Sequence, residues 1–221
     1  MRIKHISWSL KWTQRPINKD AIFSLETENY YLFLLFDWVS SSDNAIKAIK
    51  YIKNFIIKNH YNYYYWCDFR LNKMILDANN YFLSKWEIDW YTTCSWIAIL
   101  PSKNTIKYIN VWDSRIYMIW RQYIEQITED DKLYLWWNII TKSLWMELSI
   151  NDIHEFKKDI SNDCNSFLIC SDWFYDLFEH NKIDFHEFFL MTYLTSMSKN
   201  IISKIKNNNS DDASYIYIKI I

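Results

Sequence analysis

The chain runs to 221 residues, with 25 Lys or Arg against 26 Asp or Glu and a formal net charge of −1. That length predicts one domain spanning 1–221, and the interspersed charges exclude the basic face of a nucleic-acid binder. With no apolar run of about 18 residues and no basic start ahead of an apolar stretch, the sequence predicts neither a membrane span nor secretion, hence a cytoplasmic protein.

Ala21–Leu25 and Tyr30–Phe36 read as strands joined by a polar turn, the second running into Asp37. Asn44 to Lys58 carries Ala45, Ile46, Ile49, Ile52, Phe55 and Ile56 at helical spacing, with Asp43 placed to cap its start. A second helix is predicted from Asp68 to Ser84, through Leu71, Ile75, Ala78 and Phe82. Three strands follow closely: Ser95–Leu100, Thr105–Val111 and Arg115–Trp120, with Pro101-Ser102-Lys103-Asn104 as a turn. Phe167–Cys170 reads as a short buried strand leading to Asp172. Asp184 and Glu187 stand in capping-box spacing at the head of a helix reaching about Lys206. A polar loop, Asn207–Asp212, and a last strand, Ser214–Ile221, follow. This order predicts an α+β layered domain rather than a doubly wound one.

Cys67, Cys94, Cys164 and Cys170 form no close CxxC pair and read as buried, reduced thiols. His5, His60, His154, His180 and His186 lack zinc-ligand spacing, which predicts surface or structural roles. There is no glycine, and there are 13 tryptophans; an average chain of this length has about 15 glycines. The tryptophans fall in turn contexts: Asp37-Trp38, Trp112-Asp113, Trp136-Trp137-Asn138, Ser143-Leu144-Trp145 and Asp172-Trp173. Overpacking costs about 1–3 kcal/mol per badly placed residue, against about 5–15 kcal/mol of net stability for a domain. Half a dozen indoles in tight turns would exhaust that margin. The printed tryptophans therefore read as glycines, as when a UGA codon that means glycine is translated as tryptophan; the abundance of Ile, Lys, Asn and Tyr fits an AT-rich gene. The competing reading, a Trp-rich stacking protein, predicts indoles exposed on one face.

Asp37 and Asp172 stand at the ends of apolar strands, Asp113 lies in a turn between two, and Asp211 just precedes the last. Acids so placed converge on one sheet edge, where carboxylates repel unless cations join them, and hard divalent ions favour such oxygen donors.

These contexts carry a resemblance. With W read as glycine, Val111-Trp112-Asp113-Ser114-Arg115-Ile116-Tyr117 resembles the V-G-D-S-R-x-Y segment of metal-dependent type-2C (PPM) Ser/Thr protein phosphatases. Leu168-Ile169-Cys170-Ser171-Asp172-Trp173 is similar to that family's L-L-C-S-D-G, and Phe36-Asp37-Trp38 to its A-D-G. Arg15-Pro16-Ile17-Asn18-Lys19-Asp20-Ala21 resembles R-x-x-N-E-D-A, and Ser210-Asp211-Asp212-Ala213-Ser214 sits where the family has D-N-x-T. Trp90-Tyr91-Thr92-Thr93, Ile127-Thr128-Glu129-Asp130-Asp131 and Ile140-Thr141-Lys142-Ser143-Leu144-Trp145 approximate its G-T-T, L-T-x-D-H and L-T-R-A-L-G elements, so the likeness covers nearly the whole chain in order.

The resemblance, to the bacterial members in particular, implies a four-layer α-β-β-α sandwich, two antiparallel sheets flanked by helix pairs. It implies a phosphoprotein phosphatase hydrolysing phosphomonoesters with water activated by two Mn²⁺ or Mg²⁺ ions. Asp37 would bridge the ions, with the carbonyl of Trp38 on the second and Asp172 and Asp211 on the first. Asp113 with Asp172 would hold a weaker third ion, Asp20 would orient water at the metals, and Arg15 would clamp the substrate phosphate. The implied partner is a phosphorylated Ser/Thr protein made by a cognate kinase, met by a monomer in a signalling role. Two departures support an alternative, a weak pseudophosphatase serving as a signalling binding module. Lys19 replaces a metal-supporting acid or amide, and Trp38-Val39-Ser40-Ser41 lacks the usual loop after Asp37. The short stretch from about 145 to 160 implies a reduced flap.

Overall fold

A computed structural model describes the chain apart from residues 39–44, 85–91, 131, 134–138, 141–143, 145–147, 161–163 and 207–209. Outside the described residues lie the Asp43 cap, the segment after Trp38, Trp90-Tyr91, Trp136-Trp137-Asn138, Thr141–Ser143, Trp145 and the start of the 207–212 loop. In chain order come β1 (Ile3–Leu10), β2 (Ala21–Glu26), β3 (Tyr31–Phe36), α1 (Ala45–Asn59), β4 (Tyr64–Tyr65) and β5 (Asp68–Phe69). Next are α2 (Leu71–Leu83), β6 (Cys94–Leu100), β7 (Thr105–Val111), β8 (Arg115–Trp120), β9 (Ile124–Gln126), β10 (Lys132–Leu133) and β11 (Ile139–Ile140). The series ends with β12 (Phe156–Asp159), β13 (Cys164–Cys170), α3 (Asp172–His180), α4 (Lys182–Phe189), α5 (Leu194–Ile205) and β14 (Ala213–Ile220).

Two five-stranded antiparallel sheets form, in the orders β1-β14-β13-β8-β9 and β12-β7-β6-β3-β2. Strand alternation sends successive side chains to opposite faces, and β3 shows the result. Phe33 and Leu35 pack between the sheets with Ile97, Ile99, Ile116, Phe167, Ile169 and Ile216. Leu32, Leu34 and Phe36 pack outward with Ile52 and Ile56 of α1 and Met74 and Ile75 of α2. On the far side, Tyr117, Leu168, Tyr215 and Tyr217 meet Phe174, Phe178, Phe185, Met197 and Ile201 of α3, α4 and α5. Three apolar layers thus join four layers of secondary structure, as expected, with two helices on one side and three on the other.

Several elements differ from expectation. The helix predicted from Asp184 to about Lys206 is two helices, with extended backbone at Tyr193 (φ −101, ψ 116) where α5 begins. A single rod of that length would run about 35 Å, past the roughly 27 Å of an eight-residue strand beneath it; two shorter helices keep Phe185, Phe189, Met197 and Ile201 over the sheet. Asp184 is not a cap: it pairs with Lys204 at 2.6 Å and ties α4 to α5. Asp68 belongs to a hairpin, and α2 starts at Leu71. Trp66 (φ 52) and Cys67 (φ 56) form that hairpin's two-residue turn, a shape needing positive φ at both positions. Cys67 is consequently exposed, unlike buried Cys94 and Cys170. The histidine expectation fits His60, bonded to the Tyr30 hydroxyl at 2.6 Å, and His186, 3.0 Å from the Trp120 carbonyl.

Candidate active site

Register gathers the predicted acids. In one sheet Leu35 pairs with Ser95 and Cys94 with Val111, so β3 leaves, β6 enters and β7 leaves at the same end. In the other, Cys170 pairs with both Arg115 and Tyr215, which aligns the end of β13 with the starts of β8 and β14. The β7–β8 connection, Trp112-Asp113-Ser114, joins the two ends, and Thr93 Oγ1 meets Ser114 Oγ across it at 2.7 Å. The backbone of Asp37 is clamped to the neighbouring strand: Thr93 N–H donates to its carbonyl at 2.8 Å, and its own N–H donates to Thr93 Oγ1 at 3.0 Å. Pairing of Leu10 with Ala213 brings the segment carrying Arg15 and Asp20 alongside Asp211 and Asp212.

The result is a cavity of about 170 Å³ lined by Arg15, Asp37, Trp38, Thr93, Trp112, Asp113, Asp172 and Asp211. Six predicted site residues therefore share one wall. The seventh, Asp20, is buried beside them, and its Oδ2 has no hydrogen-bond partner. Asp172 is the first residue of α3 rather than a strand terminus, and its N–H faces Asp37 Oδ2 at 3.5 Å. A helix start favours an anion, so Asp172 gains partial support for its charge.

The acids are nevertheless in an adverse field. Burial, then Asp172, Asp20 and Asp113, pushes the Asp37 carboxyl well above the usual range. Burial and Asp113 raise Asp172 to about 6. Burial raises Asp20 to about 7, with Ser214 opposing and Asp212 and Asp172 adding to the rise. Among the described residues no three acids approach closely enough to ligate one ion. The donor set is gathered but open. Its chemistry fits divalent cations: several hard oxygen donors that repel one another, with the unpartnered buried oxygen of Asp20 beside them.

Arg15 is not a solvated surface side chain. Its Nη2 donates to Asp211 at 2.9 Å and its Nη1 to Asp212 at 3.0 Å, with a closer contact between Nη1 and Asp211. Burial opposes its charge, but Asp212 and Asp211 outweigh this and raise its pKa. Lys19 does not line the cavity; burial and Arg15 lower its pKa, while Asp212 and Asp211 oppose that. Trp38 is buried and bridges to Thr92. Trp112, also buried, takes φ 84, a region that a bulky side chain enters only under strain.

Sequence reasoning missed Asp212. It accepts the N–H groups of Trp12 (2.7 Å) and Lys19 (2.8 Å) as well as Arg15, and so holds the 12–19 loop. Its one signal was a second acid beside Asp211, in the position of the resemblance's Asn. It also missed Arg115, which bonds Asp130 and Glu179 and lies 3.7 Å from the ring centre of Tyr175.

No protein-family model matches this sequence, and no match was found among curated proteins. Solved structures do match over the whole chain. Serine/threonine phosphatase Stp1 from Staphylococcus aureus is 19% identical, with TM-score 0.79 over 100% of this chain and 96% of that one. The S. agalactiae serine/threonine phosphatase is 15% identical, with TM-score 0.81 and full coverage of both chains. The catalytic domain of serine threonine protein phosphatase PstP, in complex with 2 manganese ions, is 15% identical, with TM-score 0.78 over 99% and 98%. This chain has the fold of those bacterial phosphatases.

Proposed function

We propose that this chain is a metal-dependent protein Ser/Thr phosphatase. The observation that carries the reading is the single cavity lined by Arg15, Asp37, Asp113, Asp172 and Asp211 on this fold. Asp37, the Trp38 carbonyl, Asp172 and Asp211 would hold two Mn²⁺ or Mg²⁺ ions, and Asp113 with Asp172 a third. Such ions, when bound, lower the pKa of water and supply a nucleophile at neutral pH. Asp20, with an unpartnered buried oxygen, orients water toward that centre. Arg15 offers a planar fork of donors that matches phosphate oxygens as no lysine can. A cavity of about 170 Å³ suits a phosphomonoester on an extended chain, hence a Ser or Thr phosphorylated by a kinase. We read the protein as a cytoplasmic monomer with a reduced flap; no helix among the described residues is long and apolar enough to cross a membrane.

We also read the printed tryptophans as glycine positions. Supporting this, Trp66 and Trp112 take positive φ (52 and 84), and the buried Trp96 indole N–H has no partner. A stacking protein would present its indoles together, whereas Trp38, Trp96 and Trp112 are buried.

The test is hydrolysis of p-nitrophenyl phosphate with and without Mn²⁺. Activity should require the metal and fall by at least about a hundredfold in Asp172→Ala, the scale of losing one electrostatic stabiliser. Manganese uptake without turnover would replace the enzyme with a binding module.

A further inference from the structure

Resting on the phosphatase reading, we infer that Arg15, Asp211 and Asp212 form a latch that metal binding releases, so that the phosphate clamp is freed only when the metal centre is filled. Asp211 lines the cavity and also engages both terminal nitrogens of Arg15. A carboxylate that accepts from both arms of a guanidinium cannot also serve a divalent cation undisturbed, since the two cations repel across it. A bound ion therefore loosens the hold of Asp211 on the guanidinium.

The neighbouring acid decides how. The side chain of Asp212 is 1% exposed against 37% for Asp211. Asp212 Oδ1 accepts Trp12 N–H, and Oδ2 accepts both Lys19 N–H and Arg15 Nη1. Those bonds are made by the Asp212 carboxylate alone; Asp211 is tied to that residue only through the Asp212 N–H, which donates to Asp211 Oδ1 at 2.6 Å, so the loop and one arm of the guanidinium stay fixed while Asp211 turns to a cation. The Nη2 arm, bonded to Asp211 at 2.9 Å, then becomes a donor in a cavity whose wall Arg15 already forms. An Asp at 212 suits this task better than a neutral amide, because it keeps the guanidinium compensated after Asp211 leaves. Metal binds first and phosphate second, and the metal-free protein presents little affinity for phosphate.

The latch is read by arginine chemistry. Full-length protein is treated with phenylglyoxal with and without MnCl₂, modification of Arg15 is mapped by peptide mass spectrometry, and Mn²⁺ binding is followed in parallel by titration calorimetry. Manganese should speed modification of Arg15 roughly fivefold, the scale of a well-formed, partly shielded ion pair. Asp211→Asn should react at the faster rate whether or not metal is present. If Mn²⁺ binds but leaves the rate unchanged or slower, the latch is overturned and the phosphatase reading stands. If Mn²⁺ does not bind at all, both fall. Should Asp211→Asn fail to give a cooperative melt, Arg15→Lys decides, since it keeps the charge but loses the second arm: Mn²⁺ affinity rises roughly fivefold with the latch and is unchanged without it.

Discussion

Asp172 and Asp20 titrate at about 6 and about 7 because burial and neighbouring acids oppose their charge, and Asp37 is pushed in the same direction. A carboxyl with a folded-state pKa above its unfolded value of about 4 binds more protons folded than unfolded. Its contribution is complete below about pH 4 and disappears as pH rises through 6 to 7. The metal-free protein should therefore melt at a higher temperature at pH 5 than at pH 8, and Mn²⁺ should remove most of that difference. Calorimetric melts in chelator and in Mn²⁺ at both pH values check this; equal melting temperatures in chelator would contradict it. At this scale the sequence was informative about Asp37, Asp113 and Asp172, because each abuts an apolar run whose strand character is visible. Asp212 was not legible: its partners at 12, 15 and 19 lie almost the whole chain away, joined only through the β1–β14 pairing.

Among the elements, those with strong apolar periodicity were read closely. β3, β6, β7, β8 and β14 fall within about a residue or two of expectation, and α1 within one at its described start. Elements defined by partners were lost. β1 is mostly partly exposed or exposed, with only Ile3 buried, and has no alternation that marks it as a strand before β14 is known. α3 follows directly on β13, so its start was taken as the end of a strand. Its placement depends on Arg115, which joins β8 to Glu179 and Tyr175 of that helix and to Asp130. The side chains of Arg115 and Asp130 are only 16% and 6% exposed. Arg115→Ala would leave a buried carboxylate without its cation, at a cost of about 3 kcal/mol. Urea unfolding should show that loss as a lower midpoint with an unchanged slope; a midpoint within error of the parent would mean that α3 is held by its apolar face alone.

For the whole molecule, the four-layer arrangement followed from strand and helix order together with the chain-length likeness, and the comparisons with solved structures agree with it at full coverage. The tryptophans are the exception to local consistency. Strained backbone at Trp112 and an orphaned indole N–H at Trp96 oppose a fold that every other level supports. On the proposed reading, glycine at 112 would take that φ without strain and glycine at 96 would remove the unpaired donor. The protein isolated from its own host should have an intact mass well below that of the printed chain, with peptide spectra reading glycine at 38, 112 and 173; tryptophan at those positions would refute the substitution. The most direct test of the account is anomalous diffraction from crystals grown with MnCl₂. Two manganese peaks should lie in the cavity between Asp37, Asp172 and Asp211, and manganese absent there while bound elsewhere, or not bound at all, would contradict the metal centre on which the proposed function depends.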